Sequence, residues 1–313
     1  MKTGSTDSVL IVGSMALDDL ELPTTTARNV LGGAATYAAF AASLFAQSRI
    51  VAVVGDDFSE SDLEALAKRG IDTSGVERVK GKTFRWVGRY STDLTSRVTL
   101  DTQLNVFAGF QPKVPPNYRS CSYLFLGNIH PSLQLQVLGQ ASQAKFVMAD
   151  TMNFWIDGEP ELLGQVLSKV HILCINDEEA RQLSGVYPLA QAARIILSRG
   201  PKSIIVKRGE NGAVLVDQLG MFWVPAVPVN DVVDPTGAGD SFAGALIGYL
   251  ASKGTQTPQA VRQALYVATA VASFNVQAVG TARLARLTAN EVSERVQNLA
   301  AMTHLEMPKE KLV

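Results

Sequence analysis

Cysteine is scarce in this sequence, and the shortage removes two chemistries. The 313 residues include only Cys121 and Cys174, whose spacing suggests neither a zinc site nor a redox pair. Each lies beside or within an apolar run, 123–126 and 172–175, so both are expected as buried thiols in strands. Long hydrophobic runs are missing too. None reaches the roughly 20 residues that cross a bilayer, and none precedes Asp7, so no signal peptide is expected. Charge of one sign is not in excess: a formal net charge of -1 leaves no footprint for nucleic acid or an anionic membrane as partner. Internal repeats, low-complexity tracts and linkers are absent. What remains, 47% hydrophobic and 18% charged residues, is the composition of a soluble globular chain, expected in a reducing, cytoplasmic setting.

The most informative stretch is Asp234-Pro235-Thr236-Gly237-Ala238-Gly239-Asp240, followed by the apolar segment from Phe242 to Leu250. It opens with turn-forming residues and runs into what reads as a helix. A glycine-rich turn at a helix start leaves backbone N–H groups unpaired at the positive end of the helix dipole. That makes an anion site. Asp240 is the one ionisable group in the first turn. A lone Asp there serves equally well as a helix cap, so its meaning depends on the rest of the chain.

Around this stretch, short apolar runs alternate with helical patterns, which predicts parallel strands with crossover helices. Segments 9–12, 50–54, 123–126, 145–149, 172–175 and 203–206 read as strands, and Asn211-Gly212 as the turn into a further strand over 213–216. Helices are expected from Gly32 to about Phe45 and over 61–68, 260–275 and 287–302. Polar residues gather just past the strand ends, where open α/β sheets bind ligands. Asp18 lies five residues beyond Gly13; Asn128 and His130 follow one strand, and Asp150 to Trp155 another. Asn176 with Glu178 and Glu179 follows a third, although a capped helix N-terminus explains that group equally. From Thr83 to Phe107 the period becomes two, with Phe84, Trp86 and Tyr90 on one side and Arg85, Val87 and Arg89 on the other. An antiparallel ribbon of that size must cover something or pair with another chain. Gly13 is followed by Ser14-Met15-Ala16 rather than G-x-G-x-x-G, which argues against a nicotinamide-dependent oxidoreductase.

Position by position, Asp234 to Asp240 satisfies D-P-T-G-A-G-D, the C-terminal signature of the ribokinase-like (PfkB) sugar and nucleoside kinases, and the chain resembles that family along essentially its whole length. The resemblance implies a three-layer α/β/α ribokinase-like fold with a mainly parallel central sheet and a small β-sheet lid, built from about 15–30 and 82–108. It implies transfer of the γ-phosphoryl group of ATP to a hydroxyl of a small sugar or sugar-like acceptor. A nucleoside acceptor is the alternative within the family, and a non-catalytic sugar or nucleoside sensor the alternative outside it. Asp240 takes the place of the general base, and Gly237, Ala238 and Gly239 that of the anion hole. Asp18, Gly32, Gly33, Asn128, Asp150 and Asn153 fall at or near substrate positions, as does Thr36, where the family's usual residue is Asn. Asn176, Lys207, Gly209, Gly212 and Asn275 fall near the nucleotide. Glu179 matches the N-x-x-E acid that helps to place Mg2+ through water. Asp234 and Thr236 match half of a site for a monovalent cation, K+. The ribbon is also available for pairing with a second copy, a homodimer through the lid.

Overall fold

A computed structural model describes residues 7–304. In chain order its elements begin with β1 (Val9–Val12), β2 (Ala16–Leu22), β3 (Thr25–Gly32), α1 (Ala34–Ala42), β4 (Ser48–Val54), α2 (Glu60–Lys68), β5 (Asp72–Arg78), β6 (Phe84–Tyr90) and β7 (Arg97–Gln103). They continue with β8 (Tyr123–Leu126), α3 (Pro131–Gln140), β9 (Phe146–Ala149), α4 (Asn153–Gly158), α5 (Pro160–Leu167), β10 (Ile172–Asn176), α6 (Asp177–Ser184), α7 (Leu189–Leu197) and β11 (Ser203–Lys207). The last are β12 (Ala213–Asp217), β13 (Gly220–Val224), α8 (Ala238–Lys253), α9 (Pro258–Asn275) and α10 (Ala289–Thr303).

Nine strands form the large sheet in the order β13-β12-β11-β10-β9-β8-β1-β4-β5. Every pair from β11 to β5 is parallel, while β12 and β13 add an antiparallel edge. Alternation along each strand feeds two faces. Val9 and Ile11 join Phe40, Leu246 and Leu265 of α1, α8 and α9 in one core cluster. Leu10 and Val12 face the other way, with Val137 of α3 and Val166 of α5. Farther along that second face, Leu173, Ile204 and Val214 pack with Leu163, Ala180 and Ala193. The architecture is therefore α/β/α, and the central strands are apolar throughout because both of their faces are covered.

A second sheet of four strands, in the order β3-β2-β6-β7, stands apart from the first. β6 and β7 form the expected antiparallel ribbon, but β2 joins β6 in parallel, so the sheet is mixed. Trp86 and Tyr90 pack with Leu20, Leu22, Ala27, Val30, Leu94 and Val279. Phe84 instead lies against Phe107, ring centroids 5.3 Å apart.

Several local expectations need correction. α1 stops at Ala42 rather than near Phe45, because the chain tightens into three-residue bonds there, Phe45 N–H to the Ala42 carbonyl among them. Cys121 is buried but lies in the loop before β8, and only Cys174 sits in a strand. β5 and β13 are edge strands that were not anticipated: β5 is largely polar, and β13, although apolar over 221–224, exposes most of its side chains. α4, α5 and α7 were also not anticipated.

The packing of α1 on α8 sets the geometry of everything below. A Cβ on Gly244 would lie 2.1 Å from the Ala38 carbonyl oxygen, and one on Gly248 2.7 Å from the Ala42 Cα. The two backbones are thus in contact, and the N-termini of both helices open side by side at the C-terminal ends of the sheet strands.

Candidate active site

Gly237 caps α8 with φ 71° and ψ 4°, a left-handed conformation that favours glycine. The Tyr37 ring leaves no space for a side chain there, since a Cβ on Gly237 would lie 2.3 Å from it. Among the described residues, no side chain caps the helix. The Ala238 N–H reaches the Pro235 carbonyl at 3.2 Å, and among the described residues the Gly239 N–H has no such acceptor. Helix start and dipole therefore leave positive potential and an unpaired N–H at this turn.

Asp240 occupies the first turn of α8 and is partly buried. Burial raises its pKa to about 6, the charge of Asp150 adds to the rise, and Lys207 and Arg97 oppose it. Arg97 lies on β7 opposite Tyr90, which brings a cation of the small sheet within electrostatic reach of Asp240. No sequence signal singled out Arg97, and only its register beside Tyr90 could have.

Asp150 and Lys207 form an ion pair at 2.9 Å, with side chains 7% and 17% exposed. Burial works against the ammonium, but Asp150, Cys174, Glu179 and Asp240 outweigh it and raise the Lys207 pKa. At the end of β10, Asn176 and Glu179 form a reciprocal capping box. The Glu179 N–H donates to Asn176 Oδ1, and the Asn176 N–H to Glu179 Oε2, each at 2.8 Å. Burial and then Asp150 raise the Glu179 pKa to about 7.

Adjacent acids on β2 take opposite fates. Asp19 is paired with Arg85 at 3.0 Å and Arg28 at 3.3 Å. Asp18 points to the other face, 4% exposed, with its carboxylate against Gly32, where a Cβ would lie 2.0 Å from Oδ2. Burial pushes the Asp18 pKa up to about 8, with Asp234 and Asp240 contributing. Asp18, Gly32, Tyr37, Gly237 and Asp240 therefore meet at one place, and Tyr37 is a site neighbour that the sequence reading passed over despite its position next to Thr36.

Below the turn, Asp234 is fully buried. It accepts N–H bonds from Thr236 at 2.9 Å and Gly280 at 2.8 Å. Asn275 donates to the Thr236 carbonyl at 2.8 Å and is 0% exposed, so its amide nitrogen is spent on holding the signature turn. Thr36 is likewise 0% exposed, with its hydroxyl lacking a partner among the described residues. Asn128 accepts from the Trp155 indole at 2.9 Å and donates to Met152 Sδ at 3.1 Å. Asn153 is exposed on the first turn of α4. Gly209 and Gly212, with φ 54° and 81°, shape the turn between β11 and β12. His130 caps α3 by accepting the Ser132 N–H, a structural role.

Comparison with known proteins bears on this geometry. The family model described as pfkB family carbohydrate kinase matches residues 5–287. The cytidine kinase of Thermococcus kodakarensis is 32% identical over 265 residues, 82% of this chain and 93% of that protein. Among solved structures, the Burkholderia thailandensis nucleoside kinase in complex with inosine superposes with a TM-score of 0.78 at 21% identity, covering 93% of this chain and 97% of that one. Aminoimidazole riboside kinase from Salmonella enterica, complexed with aminoimidazole riboside and an ATP analogue, gives 0.75 at 21% identity, covering 93% and 100%. A family match that spans the sheet, the glycine turn and Asp240 makes this chain a member of the pfkB family of carbohydrate kinases, and with it a sugar or nucleoside phosphotransferase.

Proposed function

We propose that the protein transfers the γ-phosphoryl group of ATP to a hydroxyl of a small sugar or nucleoside, with Asp240 as general base. The observation that carries this reading is the position of Asp240 in the first turn of α8, partly buried beside an uncapped glycine turn. There it takes the acceptor's proton as the oxygen attacks. Backbone N–H groups of Gly237, Ala238 and Gly239 stabilise charge on the phosphoryl oxygens, and one preorganised donor of that kind is worth about 3 kcal/mol. Lys207 lies beside them, while Asn176, Gly209, Gly212 and Asn275 line or support the nucleotide side. Asp18, Gly32, Gly33, Asn128 and Asn153 line or support the acceptor side, with the buried Thr36 beneath them. The small sheet, residues 15–30 and 82–108, acts as the lid that excludes water. It also offers exposed Val98 and Leu100 on β7 to a second copy.

The donor set fits magnesium held largely by its own waters. No cluster of three or more potential protein ligands occurs among the described residues. Glu179 commits Oε2 to the Asn176 N–H and leaves its other oxygen for a water of the ion. Magnesium would neutralise phosphate charge. Asp234 fits a monovalent cation with Thr236: it is buried, and among the described residues its carboxylate accepts the N–H bonds of Thr236 and Gly280.

Within the acceptor class, a nucleoside is favoured by Trp86 and Tyr90, which stand edge to face 6.5 Å apart, Trp86 paired with Asp18 across β2 and β6 and Tyr90 within electrostatic reach of Asp18, and by the likeness to a cytidine kinase. The test is ADP release with ATP and magnesium across sugars, inositols and nucleosides, with Asp240→Asn as the blank. Loss of turnover with nucleotide binding retained is expected; unchanged turnover removes Asp240 from the mechanism.

A further inference from the structure

Lys207 has more hydrogen-bonding capacity than the protein uses. Its ammonium carries three donors. One goes to Asp150 Oδ2 at 2.9 Å, and the other two have no acceptor among the described residues. With the side chain 17% exposed, bulk water is a poor substitute, and idle donors there carry a desolvation cost. The ammonium lies against the first turn of α8: a Cβ on Gly239 would come 3.2 Å from Nζ and 3.7 Å from Cδ and Cε. A cation at the positive end of a helix opposes the dipole. The arrangement becomes favourable once an anion with several acceptor oxygens lies between the two.

Asp150 is the reason the ammonium stays there. Its Oδ2 takes Lys207, its Oδ1 accepts the Thr151 N–H at 2.8 Å, and its carbonyl accepts from Gln134 at 3.0 Å. Both carboxylate oxygens are therefore engaged within the protein. Glu179 and Asp240 act on the same ammonium after Asp150, so without this anchor Lys207 is drawn toward the other acids of the site.

We propose that Asp150 is a positioning residue for phosphoryl transfer rather than an acceptor ligand: it holds the Lys207 ammonium beside Gly239, with two N–H donors for the oxygens of the transferred phosphoryl group. This rests on the kinase reading above. Lys207 remains protonated throughout and supplies charge, and no proton passes through the pair.

The test is calorimetric binding of the β,γ-imido analogue of ATP, and separately of ADP, each with magnesium, to the wild type, Asp150→Asn, Lys207→Met and the double variant. Both single variants should weaken the imido analogue by roughly 10- to 100-fold, as for hydrogen bonds to charged groups, and leave ADP within about two-fold. The double variant should be no weaker than Lys207→Met, the non-additivity expected of one unit. With the acceptor that the panel identifies, Asp150→Asn should lower kcat and leave the acceptor KM unchanged, and Asp150→Glu should recover part of the loss even where the Asn variant folds poorly. A raised acceptor KM with kcat retained overturns the proposal, as does an equal cost of Asp150→Asn in the Lys207→Met background. A wild type that binds nucleotide while both variants bind the imido analogue normally overturns this proposal alone, whereas a wild type that binds neither nucleotide overturns the kinase reading beneath it.

Discussion

The phenol oxygen of Tyr90 lies 2.9 Å from the hydroxyl of Thr236, so a side-chain hydrogen bond ties the small sheet to the turn that opens α8. Thr236 has its other polar groups fixed as well, its N–H on Asp234 and its carbonyl under Asn275. Burial raises the Tyr90 pKa to about 12, so the phenol keeps its proton across the working range. The small sheet and the glycine turn thus share one bond.

Tyr90→Phe removes that bond and leaves the ring packing in place. One hydrogen bond is worth about 1 kcal/mol, so kcat should fall by roughly five-fold while the melting temperature moves little. Amide hydrogen exchange should quicken in β6 and at 236–239 and stay unchanged in β8. Exchange that rises only in β6 would show the two regions to be uncoupled.

The raised pKa of Asp240 predicts the acid limb of the rate profile. The base proposed here must be ionised to act, so on that reading kcat/KM should fall as pH drops through about 6 rather than near the ordinary aspartate range. Burial and Asp150 raise this value, while Lys207 and Arg97 lower it. Lys207→Met should therefore move the limb upward, measurable as kcat/KM against pH; a limb that stays in place excludes Asp240 as the titrating group.

Asp18 predicts a stability that depends on pH in the opposite sense from most acids. Its folded pKa is about 8 against an ordinary 3.8. Below that ordinary value, the proton is bound in both states. As pH rises, the unfolded chain releases the proton first and the folded chain keeps it until about 8, so wild-type stability declines across this window. Asp18→Asn has no proton to lose. Relative to wild type it should gain stability between about pH 5 and pH 8 in urea titrations and lose affinity for the acceptor. Equal pH slopes for the two proteins would count against a buried, protonated Asp18.

The central strands were legible in the sequence because burial on both faces leaves them unbroken apolar runs, as in Val9–Val12 and Tyr123–Leu126. The edges were not: β5 is mostly polar and carries no apolar run, and the short apolar run of β13 directly follows the turn after β12 and was not separated from it. The signature turn could be read because a helix start with Gly237 and Asp240 is a local pattern. Lys207 and Asp150 are 57 residues apart in sequence and meet only because β9 and β11 flank β10. Nothing local marks that pair, which is why Asp150 read as an acceptor residue. The adjacent Asp18 and Asp19 show the same limit, since only sheet pairing reveals which of them spends its charge on Arg85 and Arg28.

Two glycines in helices should answer oppositely to alanine. In α8, a Cβ at Gly244 would meet the Ala38 carbonyl oxygen at 2.1 Å, backbone that can yield only if α1 and α8 move apart. Gly244→Ala should cost about 1–3 kcal/mol, as overpacking does, and should also lower kcat, because the helix that shifts carries Asp240. In α5, Gly164 has nothing within 4 Å of an added Cβ, and alanine there should stabilise by about 0.5–1 kcal/mol through helix preference alone, with activity unchanged. Denaturation midpoints for the two variants, read beside their turnover, check both halves. If Gly244→Ala loses stability but keeps full kcat, the spacing of α1 and α8 is a packing matter and does not set the position of the base.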